Sequence, residues 1–168
     1  MKRRAILILV FGLVLFVCLL STTSAQTDNF GPLKFTPPRG FAKNQTKDAV
    51  IFSLVDRRRQ RFCFITLYNA IASNPSPKKG FDKEWTEKVV GPWGAADKVE
   101  TETEIINRLT FVSSGAEIYV DGNRATAYLA VFSGRGRSAS LLGIYNDNSC
   151  SDILQTFTED LDIDTKGN

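Results

Sequence analysis

In residues 62–71 the side chains of Phe62, Phe64 and Tyr68 alternate with those of Cys63, Ile65 and Leu67. An extended chain sends such alternating sets to opposite faces, and here both sets are apolar. A strand of this kind must be covered on both sides, by helices or by a second layer. Residues 49–55, just before it, are equally rich in β-branched and aromatic side chains. The short basic break between the two stretches reads as a hairpin tip.

The second half of the chain extends the sheet. Strands are expected over 109–113, 117–120, 124–133 and 137–146, separated by turn chemistry at Ser114-Gly115, Asp121-Gly122-Asn123 and Gly134-Arg135-Gly136. A short strand over 33–36 stops at Pro37 and Pro38. Residues 26–31 read as a loose polar entry and 44–48 as a polar turn. That turn holds the triplet Asn44-Gln45-Thr46, a glycosylation acceptor if the chain is exported by a eukaryote.

Two amphipathic helices complete the pattern. One spans 81–90, with Phe81, Trp85 and Val89 at spacing four, and is expected to end at Gly91 and Pro92, leaving Trp93 in a loop. The other spans 151–160 after a cap at Asn148 or Ser149, with Ile153, Leu154, Phe157 and Leu161 on one face. The expected class is α+β, a mainly antiparallel sheet of five to seven strands covered by helices.

The N-terminus reads as an export signal. Lys2, Arg3 and Arg4 precede an apolar run over 5–20, and small residues at Thr23 and Ala25 suit a cut before Gln26. An uncleaved anchor, or lipoprotein processing at Cys18, are the other two readings of this segment. The expected organisation is a signal over 1–25 and one α+β domain over 26–168, its core within 33–163. The location follows as secreted or periplasmic, with no transmembrane segment after cleavage.

The net charge of +3 resides in that signal, since without Lys2, Arg3 and Arg4 the 21 basic residues fall to 18, equal to the 18 acidic ones. A neutral chain argues against a general nucleic-acid binder but leaves room for a local basic patch. Histidine is absent, which removes the commonest general base and the commonest zinc or copper ligand. No metal and no organic cofactor is called for, and a monomer is expected. Cys63 and Cys150 are the two thiols beyond the signal. In an oxidising compartment they suggest a disulfide, worth about 4 to 5 kcal/mol by loop-closure entropy, ahead of two unpaired buried thiols and of a functional thiol.

The order of elements resembles the small α/β/α sandwich shared by the PsbP and Mog1 proteins. The string from Phe81 through Trp85 to Val90-Gly91-Pro92, followed by Phe132-Ser133-Gly134, is similar to uncharacterised secreted bacterial proteins. The resemblance covers most of residues 33–163 and implies a non-catalytic assembly or stabilising role, as for PsbP-like proteins. It carries no metal-ligand histidine to this chain.

The candidate binding residues are arginines. Arg57, Arg58, Arg59 and Arg61 crowd the tip of the first hairpin, where guanidinium groups could hold an anionic protein or envelope component; the plain alternative is a solvated turn. Arg135 and Arg137 are secondary contacts if both tips lie at one edge. The glycines around them are read as a turn rather than a phosphate loop, because Arg137 opens a strand and not a helix.

Glu100, Glu102 and Glu104 would share one strand face and could hold Ca²⁺, although a solvated edge explains them as well. Asp160, Asp162 and Asp164 begin like an EF-hand loop, but Thr165 stands where glycine is required. For an enzyme, the acid or base candidates are Glu84 and Glu87, expected on an exposed helix face, and Asp121. Carboxylate catalysis and thiol redox chemistry at Cys63 and Cys150 form the alternative to a binding module.

Overall fold

The computed structural model describes residues 26–74 and 76–164, so the N-terminal segment read as an export signal lies outside the described residues. The stretch that is apolar on both faces is central. β4 (Ala49–Asp56) and β5 (Arg61–Tyr68) pair antiparallel from Ala49↔Tyr68 to Asp56↔Arg61. β5 pairs on its other edge with β10 (Arg137–Tyr145). The large sheet runs β3 (Ala42–Gln45), β4, β5, β10, β9 (Asn123–Gly134), β8 (Leu109–Val120) and β7 (Glu102–Ile106), with β6 (Ile71–Ala72) off this path on β10. A small sheet joins β1 (Asp28–Phe30), β2 (Leu33–Phe35) and β11 (Asp162–Ile163).

Both faces of the large sheet are covered, as the alternation in β5 demands. On one face Phe52, Ile65, Leu67 and Leu141 pack with Phe35 of the small sheet and with Leu154 and Phe157 of a C-terminal helix, Ser149–Glu159. Phe35, Phe52 and Phe157 meet at centroid distances of 5.7–5.9 Å, joining three layers in one contact. On the other face Phe81, Trp85 and Val89 lie against Val112, Leu129, Val131 and Leu142. Burying side chains of this size contributes about 1.5–3 kcal/mol each. The Trp85 indole N–H donates to the Ala96 carbonyl at 2.9 Å, so the largest buried ring leaves no orphan donor.

The first helical run departs from expectation. α1 (Pro77–Trp85) starts four residues early, because Pro77 suits the first turn and the Ser76 side chain accepts from the Lys79 N–H at 3.4 Å. Gly91-Pro92 does not end the run. The chain widens into a π-helical segment, Thr86–Val90, and continues as α2 (Gly91–Trp93) before Gly94 stops it at φ +65°. Proline in a regular helix clashes with the carbonyl four residues back, and the wider turn relieves that conflict. Trp93 therefore ends a helix rather than sitting in a loop. The second helix, α3 (Ser149–Glu159), begins two residues before expectation.

Three strand readings are corrected too. Ser114-Gly115 makes no turn, and β8 runs unbroken because Ser114 and Gly115 pair with Leu129 and Tyr128. The turn comes at Asp121-Gly122, where φ is +51° and +79°. Residues 26–31 are not loose, since Asp28–Phe30 pairs with β2. Residues Ala42–Gln45 form an edge strand, and the turn is confined to Thr46 and its neighbours, with the Thr46 hydroxyl accepting from Asp48 and Ala49 N–H groups.

Candidate functional site

The β4–β5 hairpin is fixed at its base and free at its apex. Asp56 closes β4, and its Oδ1 accepts the N–H groups of Arg58 at 3.0 Å and Arg59 at 3.2 Å, the local bond that lets aspartate shape a turn. Gln60 then enters β5 at φ +53°, a conformation non-glycine residues take at a cost.

Below the turn, Phe62 N–H donates to Asn146 Oδ1 and Asn146 Nδ2 donates to the Gln60 carbonyl, both at 2.8 Å. Arg61 Nη1 lies 3.2 Å from Asp147 Oδ2. Cys63 and Cys150 place their Sγ atoms at disulfide distance with Cα atoms 5.9 Å apart, tying β5 to the first turn of α3. Both cysteines are buried, which hides the sulfur from exchange partners.

Asp147 carries one of these ties, and its Oδ1 also accepts the Ser149 N–H at 3.1 Å. Its carboxyl is held below the ordinary carboxylate range chiefly by the Ser149 N–H, which outweighs the opposing effect of burial, with the Ser149 and Arg61 side chains adding to the lowering. At the apex the picture is different. Arg59 faces Asp56 at 3.8 Å with 73% of its side chain exposed, an arrangement worth little in water. Arg57 and Arg58 make no ion pair among the described residues. Two acidic partners thus stand against four guanidinium groups, leaving the tip net positive.

Arg135 and Arg137 do not join this patch. In the β5–β10 register Tyr145 faces Cys63, whereas Arg137 faces Ala72 of β6. The two tips therefore lie at opposite ends of β10, about 27 Å apart at 3.4 Å per residue. Arg135 and Gly136 take φ +55° and +76°, the turn geometry that suits a tight hairpin. The Arg135 guanidinium donates to the Ile163 carbonyl and lies 3.5 Å from Asp162, so it clasps β11 to the hairpin.

The other charged candidates have structural occupations. Glu84 is not on a water-exposed face. Its Oε2 accepts from the Ser140 hydroxyl at 2.7 Å and lies 3.3 Å from Lys88 Nζ, whose ammonium sits 3.7 Å over the Tyr68 ring. Burial, followed by the Glu84 charge, pushes the Tyr68 phenol up. Glu87 stays exposed beside Lys83, and Asp121 occupies its turn.

Glu100 precedes β7 and lends its carbonyl to Ser114, leaving Glu102 and Glu104 as the pair on one strand face. Asp162 and Asp164 pair with Arg135 and Lys34. Among the described residues no group of three acidic or cysteine side chains is placed to hold a metal ion. No helix among them is long and apolar enough to cross a membrane.

Two features had no clear sequence signal. Asn146 reads as the last residue of a strand, and only the register of β10 on β5 shows its amide completing the hairpin base. Leu54, Ile153 and the cysteine pair wall a groove of about 260 Å³ beside the arginines. The only hint in the sequence is that Leu54-Val55 directly precedes Asp56 and the three arginines of 57–59.

Comparison with known proteins identifies the fold. No family model matches the chain, and no curated protein matches it. Among solved structures, the solution structure of cyanobacterial PsbP (CyanoP) from Synechocystis sp. PCC 6803 superposes with a TM-score of 0.55 at 14% identity. The match covers 85% of this chain and 95% of that one. The chain has the PsbP-like α+β fold.

Proposed function

We propose that this protein is a non-catalytic extracytoplasmic binding or assembly module that engages an anionic protein or envelope component through the β4–β5 hairpin. The observation that carries this reading is the contrast within the hairpin, whose base is fixed by Asn146, Asp147 and the cysteine pair while Arg57 and Arg58 extend without ion-pair partners among the described residues. A rigid base with an unsatisfied cationic apex presents guanidinium groups at low ordering cost.

The N-terminal signal pattern supports an extracytoplasmic location, and the PsbP-like fold together with the missing histidine supports a role without catalysis. Fold likeness is associational for function, so the weight rests on the hairpin. Arg135 and Arg137 are assigned no part in this contact.

Replacing Arg57, Arg58, Arg59 and Arg61 by Ser is the direct test. All four are at the surface, so folding is expected to be nearly unchanged by thermal melt, while retention on an anionic matrix falls and loses its steep dependence on salt. Retention unchanged by the four substitutions would reduce the apex to a solvated turn. Sequencing the exported protein from its N-terminus tests the location, with a start at Gln26 expected.

A further inference from the structure

The groove beside the arginine apex narrows the class of partner, an inference that rests on the anionic-partner reading above. Leu54 of β4, 43% exposed, stands directly opposite Cys63 of β5 in the strand register. Ile153 of α3 closes the opposite side, and Arg59 and Arg61 line the rim. At about 260 Å³ the space is smaller than the clefts of about 300–1,000 Å³ that enclose drug-sized ligands, and it suits one or two side chains.

We propose that this groove receives an acidic peptide segment bearing one bulky apolar residue. Its apolar side chain seats on Leu54 and Ile153, and its flanking carboxylates pair with Arg57, Arg58 and Arg59. Within the groove Arg59 and Arg61 are balanced by Asp56 and Asp147, so the surplus positive charge that selects acidic flanks is carried by Arg57 and Arg58 at the adjoining apex. Concavity selects a peptide over a bilayer. A membrane-inserting hairpin presents apolar side chains at its tip with charge behind them, whereas here the apex is charged and the apolar residues lie behind it in a recess.

The arrangement also separates two contributions. Arginines at the rim govern encounter and salt dependence, and the recessed aliphatic pair governs how long the complex lasts. Because the cysteine pair forms the groove wall between β5 and α3, the recess keeps its width without the peptide.

The test uses the exported full chain and two labelled synthetic peptides, one with a phenylalanine flanked on both sides by glutamates and one with serine in its place. Fluorescence anisotropy is expected to show the phenylalanine peptide binding about tenfold or more tighter, the effect of burying one aromatic side chain. Leu54→Asn and, separately, Ile153→Asn should abolish that preference while leaving retention on the anionic matrix intact. The fourfold arginine variant should lose both peptides. Equal binding of the two peptides, unaffected by Leu54→Asn, would overturn the groove while sparing the arginine reading. Phosphatidylglycerol vesicles binding as tightly as the peptide and indifferent to Leu54→Asn would overturn it in favour of a membrane. Retention and peptide binding both untouched in the fourfold variant would overturn the arginine reading itself.

Discussion

Two hairpins of this protein carry arginines in tight turns, and the structure uses them in opposite ways. The β9–β10 hairpin is tied at its apex, where Arg135 reaches the Ile163 carbonyl and Asp162 and so holds the small sheet to the large one. The β4–β5 hairpin is tied at its base, through Asn146, Asp147 and Cys63 with Cys150, and its apex points away. An arginine with a carbonyl and a carboxylate in reach is already satisfied, while one held out by a rigid base remains available. Arginine is common to both tips although the turns differ, a four-residue loop shaped by Asp56 against the two-residue Arg135-Gly136 turn; availability is decided by which neighbours the sheet order supplies.

The largest effect expected from disturbing this contrast is on the covalent tie. Replacing Cys63 and Cys150 by Ala should lower stability by about 2–5 kcal/mol, since the bond closes a loop of 87 residues. A urea melt with an unchanged midpoint would show that the hairpin base does not depend on this bond.

Asn146→Ala comes next. It leaves the Phe62 N–H and the Gln60 carbonyl without their side-chain partners, at an expected cost of about 1–2 kcal/mol in the same melt. Faster amide exchange should be confined to residues 60–62. Exchange rising equally at residues 134–137 would break the distinction between the hairpins.

Arg135→Ser should cost less, about 1 kcal/mol, because the guanidinium remains 36% exposed and its ion pair with Asp162 is screened. The loss should appear as freer exchange in β11. No change in β11 would mean that the β9–β10 apex is as idle structurally as the other.

Acid titration gives the smallest signal. The Asp147 carboxyl titrates below its ordinary value of 3.8 in the folded chain, so the stability it lends is complete above that value and is lost as pH falls through the lower folded one. Asp147→Asn should flatten this part of the acid limb, visible as a smaller pH dependence of the melting temperature below pH 4. Asp28, lowered chiefly by the hydrogen bond from Lys43, contributes with the same sign.

Much of the fold was legible because β5 is apolar on both faces and because Phe81, Trp85 and Val89 repeat at helical spacing. These patterns are local and survive any topology. What failed had two origins, one a partner distant in sequence and one local. Ser114-Gly115 has turn chemistry, yet β9 supplies a continuous ladder opposite it. Gly91-Pro92 has stop chemistry, yet a widened turn absorbs the proline.

The site divides in the same way. A basic hairpin tip could be read from Arg57 to Arg61, but the occupation of Arg135 by Ile163 and the distance between the tips required the strand order. Glu84 looked exposed from its helical position alone; Lys88 is its neighbour at i,i+4, but Ser140 becomes one only once β10 lies beneath α1.

Because both hairpins are cationic, a charge-matched pair of variants separates availability from net charge. Arg57→Ser with Arg58→Ser and Arg135→Ser with Arg137→Ser each remove two positive charges, and each variant is eluted from the same anionic matrix by a salt gradient. The account predicts that the first variant elutes at clearly lower salt than the parent, whereas the second elutes close to it despite its looser β11. Equal displacement of the two variants would show that retention follows net charge alone and would contradict the claim that the β4–β5 apex is the binding surface.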